Sequence, residues 1–211
     1  MQYRHEPIHS QLLRLGHKHS MLHVDVLMLI YHFARTCAGA ILEIGAFVGG
    51  ATLAAGLGVR ASGQAKPIIA IEPGGRVRHD RLSTRNILRD LERNLTKHGM
   101  LKMITLFNSY SFAEATISAV HRTLGEEPVA LLIIDADGAV QRDLNCYRDK
   151  LADNCWMVID DYFGPDTNSK ITSTRTEVDA LVASNWLVPL GFYGWGTWIG
   201  QWRRLTPPPA R

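Results

Sequence analysis

A mostly parallel α/β sheet with helices on both faces is what this sequence predicts, and three observations carry it. Strand-like and helix-like segments alternate from residue 38 to residue 203, the pattern that builds a parallel sheet through helical crossovers. The last two β-rich runs, 186–193 and 197–202, are separated only by Gly194-Trp-Gly; a parallel return needs a crossover, so they close the sheet as an antiparallel hairpin. Glycine and acidic residues collect just after the apolar runs, where an open sheet keeps its ligand crevice.

Composition sets the bounds. A chain of 211 residues suits one domain with a modest appendage, and 46% hydrophobic with 20% charged residues is the balance of a globular protein with a substantial core. No apolar run reaches the length of a membrane span. The polar start lacks the apolar stretch of a signal peptide, so a cytoplasmic protein is expected. Three widely spaced cysteines, Cys37, Cys146 and Cys155, argue against a disulfide framework or a Cys-rich zinc site. A formal charge of +3 implies no nucleic-acid partner by itself.

Residues 1–37 read as an N-terminal helical segment well placed to cover the crevice: 21–37 has the apolar content of one long helix, and 1–20 is polar and His-rich. The main domain is expected over 38–204, and 205–211, rich in proline, as a disordered tail. Residues 40–44 form the first buried strand, followed by a Gly-rich turn and a small-residue helix over 50–59. The second strand is 67–72; near-helical spacing of Leu82, Ile87, Leu88, Leu91 and Leu95 predicts a helix over 80–98, stopped by Gly99. Residues 100–107 follow as a strand. Ser111 with Glu114 three positions on is a capping-box signal for a helix to about 124. Strands at 128–134 and 155–159 bracket a helix at 141–151, and 172–184 is the last helix before the hairpin, for seven strands in all.

Glu43-Ile-Gly45-Ala-Phe-Val-Gly49-Gly50-Ala-Thr52 links the first strand to the first helix. Glycines there allow a sharp turn and let a ligand lie against bare backbone at a helix N-terminus. The spacing Gly-x-x-x-Gly meets neither the dinucleotide fingerprint Gly-x-Gly-x-x-Gly nor the P-loop. It resembles the acidic-x-Gly-x-x-x-Gly motif of class I S-adenosylmethionine-dependent methyltransferases. That resemblance implies a Rossmann-like sandwich and donor contacts from Glu43, Gly45, Gly49, Thr52 and Asp135. It puts Glu72, ending the second strand, on the ribose hydroxyls, and Asn108, Ser109 and Phe112 near the adenine.

Asp135-Ala-Asp137 follows the fourth strand and Asp160-Asp161 the fifth. Adjacent strands lie roughly 4.8 Å apart, and like charges about 4 Å apart repel by about 4 kcal/mol at an effective dielectric near 20. Four such carboxylates need a cation, protonation or unequal burial to coexist. The pattern is similar to metal-dependent small-molecule O-methyltransferases, above all the macrocin and aminocoumarin sugar type. The resemblance implies a magnesium ion on this acidic group, a small hydroxylated acceptor, and a possible homodimer. Asp135, Asp160 and Asp161 are the ligand choices, and Asp137 is then the candidate general base, or else a further ligand of the ion. Catechol-type relatives carry Asp-Asn at the second place and a Lys after the first Asp, both absent here.

Three rivals stand beside this reading. One is a metal-free methyltransferase. Another is a nucleic-acid methyltransferase, which for base amino groups favours an Asn/Asp-Pro-Pro-Tyr/Phe tetrapeptide that Asp135-Ala-Asp137-Gly138 does not match. The third is a non-catalytic donor-binding module. The arginines at 76, 78, 81, 85, 89 and 93, interleaved with Asp90 and Glu92, read as a solvated face, and His17, His19 and His23 as a polar helix face. Tyr162, Phe163 and Trp195 are candidates to line an acceptor pocket.

Overall fold

The computed structural model describes residues 3–204; the tail expected at 205–211 lies outside the described residues. Seven strands form one sheet in the order β3-β2-β1-β4-β5-β7-β6, with β1 Ala40–Ile44, β2 Ile68–Ile71, β3 Ile104–Phe107, β4 Val129–Ile134, β5 Leu151–Ile159, β6 Leu187–Tyr193 and β7 Thr197–Trp202. Strands β1 to β5 pair in parallel, and β7 runs antiparallel between β5 and β6. This is the Rossmann-like sandwich the sequence implied.

Alternation along the strands splits the core in two. Ile41, Ile68, Leu131, Ile133 and Val158 face helices α1 (Pro7–His19), α2 (Val24–Thr36), α3 (Gly50–Ser62) and α4 (Ile87–Lys97). Leu42, Ile44, Ile69, Leu132 and Ile159 face α5 (Glu114–Leu124), α6 (Val140–Tyr147) and α7 (Ser169–Ala183). On the first face the Phe33 ring stacks on Trp156, with centroids 4.1 Å apart, and anchors α2 over β5. Buried Lys66, just before β2, donates from Nζ to the carbonyls of Ala34 (2.9 Å), Arg35 (3.2 Å) and Cys37 (2.6 Å), closing the C-terminal end of α2.

Local chemistry moves several helix starts. The N-terminal segment is two helices, because His23 caps α2 through Asp25 N–H, and α1, from polar residues 7–19, buries Leu12 and Leu15. Helix α4 begins at Ile87: Asn86 accepts from Arg89 N–H, and the preceding residues turn through a Val77–Thr84 bridge. The Ser111 capping box does not form. Helix α5 starts at Glu114, and the Ser111 hydroxyl donates instead to buried Asp143, at 2.7 Å. Helix α6 stops at Tyr147 and runs into a 3₁₀ turn, while β5 starts at Leu151, earlier than expected, and its register shifts against β4. Asn168 caps α7 through Lys170 N–H, so this helix begins three residues before the expected start.

Candidate active site

Strand register assembles the site. Pairing Ile44 with Ile71 and with Ile134, and Ile134 with Ile159, lines up the residues that follow each strand. Backbone bonds extend past the strand ends: Gly45 N–H to Ile71 O (3.0 Å), Asp135 N–H to Ile44 O (2.9 Å), Asp160 N–H to Ile134 O (2.9 Å) and Glu72 N–H to Phe107 O (3.0 Å). Glu72, Gly45, Asp135 and Asp160 therefore stand side by side along one edge. They border a cavity of about 290 Å³ that also takes in Glu43 and, from the α1–α2 turn, His19 to Leu22.

Gly45 sits at φ +88°, a conformation that glycine adopts freely, and a Cβ there would lie 1.9 Å from the Asp135 carbonyl oxygen. The glycine is thus needed for the close approach of the β4 end as much as for any ligand. Gly49, the N-cap of α3, faces Leu91 and lies outside the cavity lining, while Gly50 abuts Ser20 and His19. Thr52 is buried, and its hydroxyl donates to Glu43 Oε2 at 2.5 Å. Burial raises the Glu43 carboxyl to about 8, so it is protonated at neutral pH. Glu72, also raised by burial, accepts from Phe47 N–H (2.7 Å) and Gly74 N–H (2.8 Å) and keeps lone pairs for further donors.

Asp135, Asp160 and Asp161 converge, each offering an oxygen within 4.8 Å of the others'. Successive strand residues point to opposite faces, so two adjacent aspartates share one site only because Asp161 turns out of the strand, at φ +55°. The Thr197 hydroxyl donates to Asp160 at 2.5 Å. Burial, and then Asp135 beside it, push the Asp160 carboxyl up to about 7; burial also raises Asp135. Sequence reasoning passed over Lys170. Its Nζ lies 3.1 Å from Asp135 Oδ1 and also pairs with Asp161 Oδ2. Burial alone would lower the Lys170 ammonium, but the two carboxylates hold it above its ordinary range. Starting the last helix at 172 hid it; the signal was Asn168, a helix N-cap that puts Lys170 in the first turn.

Asp137 stands apart. Arg142 grips it with two bonds, of 2.8 and 3.0 Å, which hold its carboxyl below the usual range, the reverse of what a base at neutral pH needs. A base role would require Arg142 to let go. Phe112 carries the Arg142 guanidinium on its ring face at 4.1 Å, and neither it nor Asn108 nor Ser109 lines the cavity. The Tyr162 hydroxyl donates to Asp179, Phe163 stacks on Phe192, and Trp195 lies under Arg81, which also reaches the Met21 carbonyl. None of the three lines the cavity. Arg89 and Arg93 both pair with Asp90.

Residues 42–162, more than half of the chain, match the model of a family described as a methyltransferase domain. The chain belongs to this methyltransferase family. The matched stretch runs from the first strand through Asp161, so it holds all the strand ends that border the cavity. Among solved structures, this methyltransferase is similar to the O-methyltransferase TomG of Streptomyces achromogenes, involved in tomaymycin synthesis and solved in complex with S-adenosylmethionine (TM-score 0.68, 14% identity, 95% of this chain and 91% of that one). It is also similar to the O-methyltransferase NovP (0.67, 15%, 88% and 83%) and to an O-methyltransferase of Bacillus cereus in complex with S-adenosylhomocysteine (0.62, 11%, 97% and 94%). At such identities the likeness is one of fold. No curated protein matches the sequence.

Proposed function

We propose that this methyltransferase transfers the methyl group of S-adenosylmethionine to a hydroxyl of a small molecule. The observation that carries the reading is the single cavity with Glu43, Gly45 and Glu72 on one side and Asp135, Asp160 and Asp161 on the other. A donor on the first group and an oxygen acceptor on the second are then in contact. Glu72, with lone pairs to spare, suits a ribose diol, and the neutral carboxyl of Glu43 offers a polar but uncharged floor. Because the sulfonium already activates the methyl group, the chain's work is orientation and proton removal. The α1–α2 turn contributes His19, Ser20, Met21 and Leu22 to the cavity wall.

The acidic group suits a divalent ion. Three carboxylates offer hard oxygen ligands, and Lys170 forms ion pairs with only two of them, Asp135 and Asp161. Asp135, Asp160 and Asp161 would hold magnesium, which when bound acidifies and positions an acceptor hydroxyl. The sugar-bearing or phenolic acceptor class rests on the acidic pattern Asp135-x-Asp137 with Asp160-Asp161, and Asp137 remains a base candidate only with Arg142 released. Titration with S-adenosylhomocysteine, followed by transfer of labelled methyl from S-adenosylmethionine to sugar-bearing and phenolic acceptors with and without magnesium, tests the reading. Binding followed by transfer to oxygen is expected. Absence of binding sinks the donor assignment, and binding without transfer to any acceptor leaves a donor-binding module.

A further inference from the structure

The acidic group already holds one positive charge of its own. Lys170 Nζ touches Asp135 Oδ1 and Asp161 Oδ2, oxygens from two of the three residues that would ligate a metal. Its backbone has little freedom to retreat. Lys170 lies in the first turn of α7, with Asn168 accepting its N–H at 3.0 Å. The Asp135–Gly138 loop is packed against that turn: a Cβ on Gly138, at φ +88°, would meet the Lys170 carbonyl oxygen at 2.8 Å, and the Ser173 hydroxyl donates to the Gly138 carbonyl at 3.1 Å. The loop carrying the first aspartate and the helix carrying the lysine form one packed unit. Only the side chain is free to move, and it remains about a third exposed.

We propose that Lys170 is the resident cation of the Asp135–Asp160–Asp161 group, and that a divalent ion enters only by displacing its ammonium toward solvent. Magnesium needs carboxylate oxygens at about 2.1 Å in near-octahedral array. An ammonium seated on the same carboxylates competes for their lone pairs and repels the incoming dication. Divalent binding by the wild-type protein is therefore weakened by the fraction of time Lys170 spends on the carboxylates, in the way that any site is when its competent state is only partly populated. Such a chain keeps the acidic group together without metal and binds metal weakly, so its need for metal is graded.

The inference rests on the reading of the three aspartates as a cation site, and the measurement needs neither acceptor nor turnover. Binding of Mn²⁺ alone is followed by electron paramagnetic resonance in the wild-type protein, Lys170→Met, Lys170→Arg and the double variant Lys170→Met with Asp161→Asn. Lys170→Met is expected to tighten Mn²⁺ binding about tenfold or more. Lys170→Arg, which restores a fixed charge, is expected to return it toward wild type, and the double variant to abolish the gain. Thermal stabilisation by S-adenosylhomocysteine reports separately that each variant is folded with its donor site formed, so a failure of the donor reading shows in that signal alone. Equal Mn²⁺ affinity in wild type and Lys170→Met overturns the proposal, as does a folded Lys170→Met that binds no Mn²⁺.

Discussion

At the scale of single residues, protonation and pairing divide the carboxylates that the sequence shows only as a list. Asp137 is held by Arg142, and Asp160 sits near neutrality in the cavity wall. Asp137→Asn is accordingly expected to lower the turnover of labelled methyl by less than about tenfold, against the 10²–10⁴ that a general base contributes; a loss of about a hundredfold or more restores the base role. Glu43 gives a pH signature. Its carboxyl is raised from 4.5 to about 8 by burial, so the folded state keeps a proton that the unfolded chain releases. Stability is therefore full below about pH 4.5 and falls as pH rises through that window. Glu43→Gln cannot ionise. Its Tm, followed by calorimetry from about pH 5 to about pH 8, is expected to lack a decline of roughly ten degrees that the wild type shows, and parallel curves would refute the burial argument.

At the scale of elements, most strands and the start of α3 at Gly50 were legible, while β3 and β5 begin at Ile104 and Leu151 rather than at 100 and 155, and the starts of α2, α4 and α7 were missed. Buried runs such as 40–44 and 129–134 announce themselves by apolar continuity, and their parallel register followed from the helices between them. Cap side chains, by contrast, have alternatives that only the tertiary structure ranks. Ser111 had a local partner within reach at Glu114 but donates to Asp143, because a buried carboxylate left short of donors costs more than an exposed helix end left uncapped. That network, with the Tyr147 hydroxyl on the Ser111 carbonyl at 2.5 Å, fixes the segment between β3 and α5. Ser111→Ala is expected to destabilise the fold by roughly 1–3 kcal/mol in urea titration, where a surface cap at an isolated helix would cost nearer about 1. The candidate site follows the same division. Gly45, Glu72, Asp135, Asp160 and Asp161 follow strand ends and could be placed by counting; Lys170 comes from a helix whose start was misjudged, and Phe112, expected beside the donor, lies outside the cavity under Arg142, a neighbour that no spacing rule connects to it.

At the scale of the whole molecule, the three ammonium–carbonyl bonds of Lys66 decide which parts can move independently. They tie the end of α2 to the residue that leads into β2, and the stack of Phe33 on Trp156 fastens the same helix over the centre of the sheet. Helix α2 is therefore expected to open only with the sheet itself, on the slow timescale of global unfolding, and α1 with residues 20–23, packed through fewer contacts, to open at lower cost. Hydrogen exchange is expected to show this as two rates: slow, sheet-like protection in α2, and faster exchange in α1 and the turn that S-adenosylhomocysteine suppresses. Lys66→Met is expected to speed exchange in the last turn of α2 and leave α1 unchanged, and a uniform change across both helices would count against it. Exchange of that kind would mark α1 and its turn, which brings His19 to Leu22 into the wall of the cavity, as the segment that yields when a ligand enters or leaves, and α2 as the fixed support behind it.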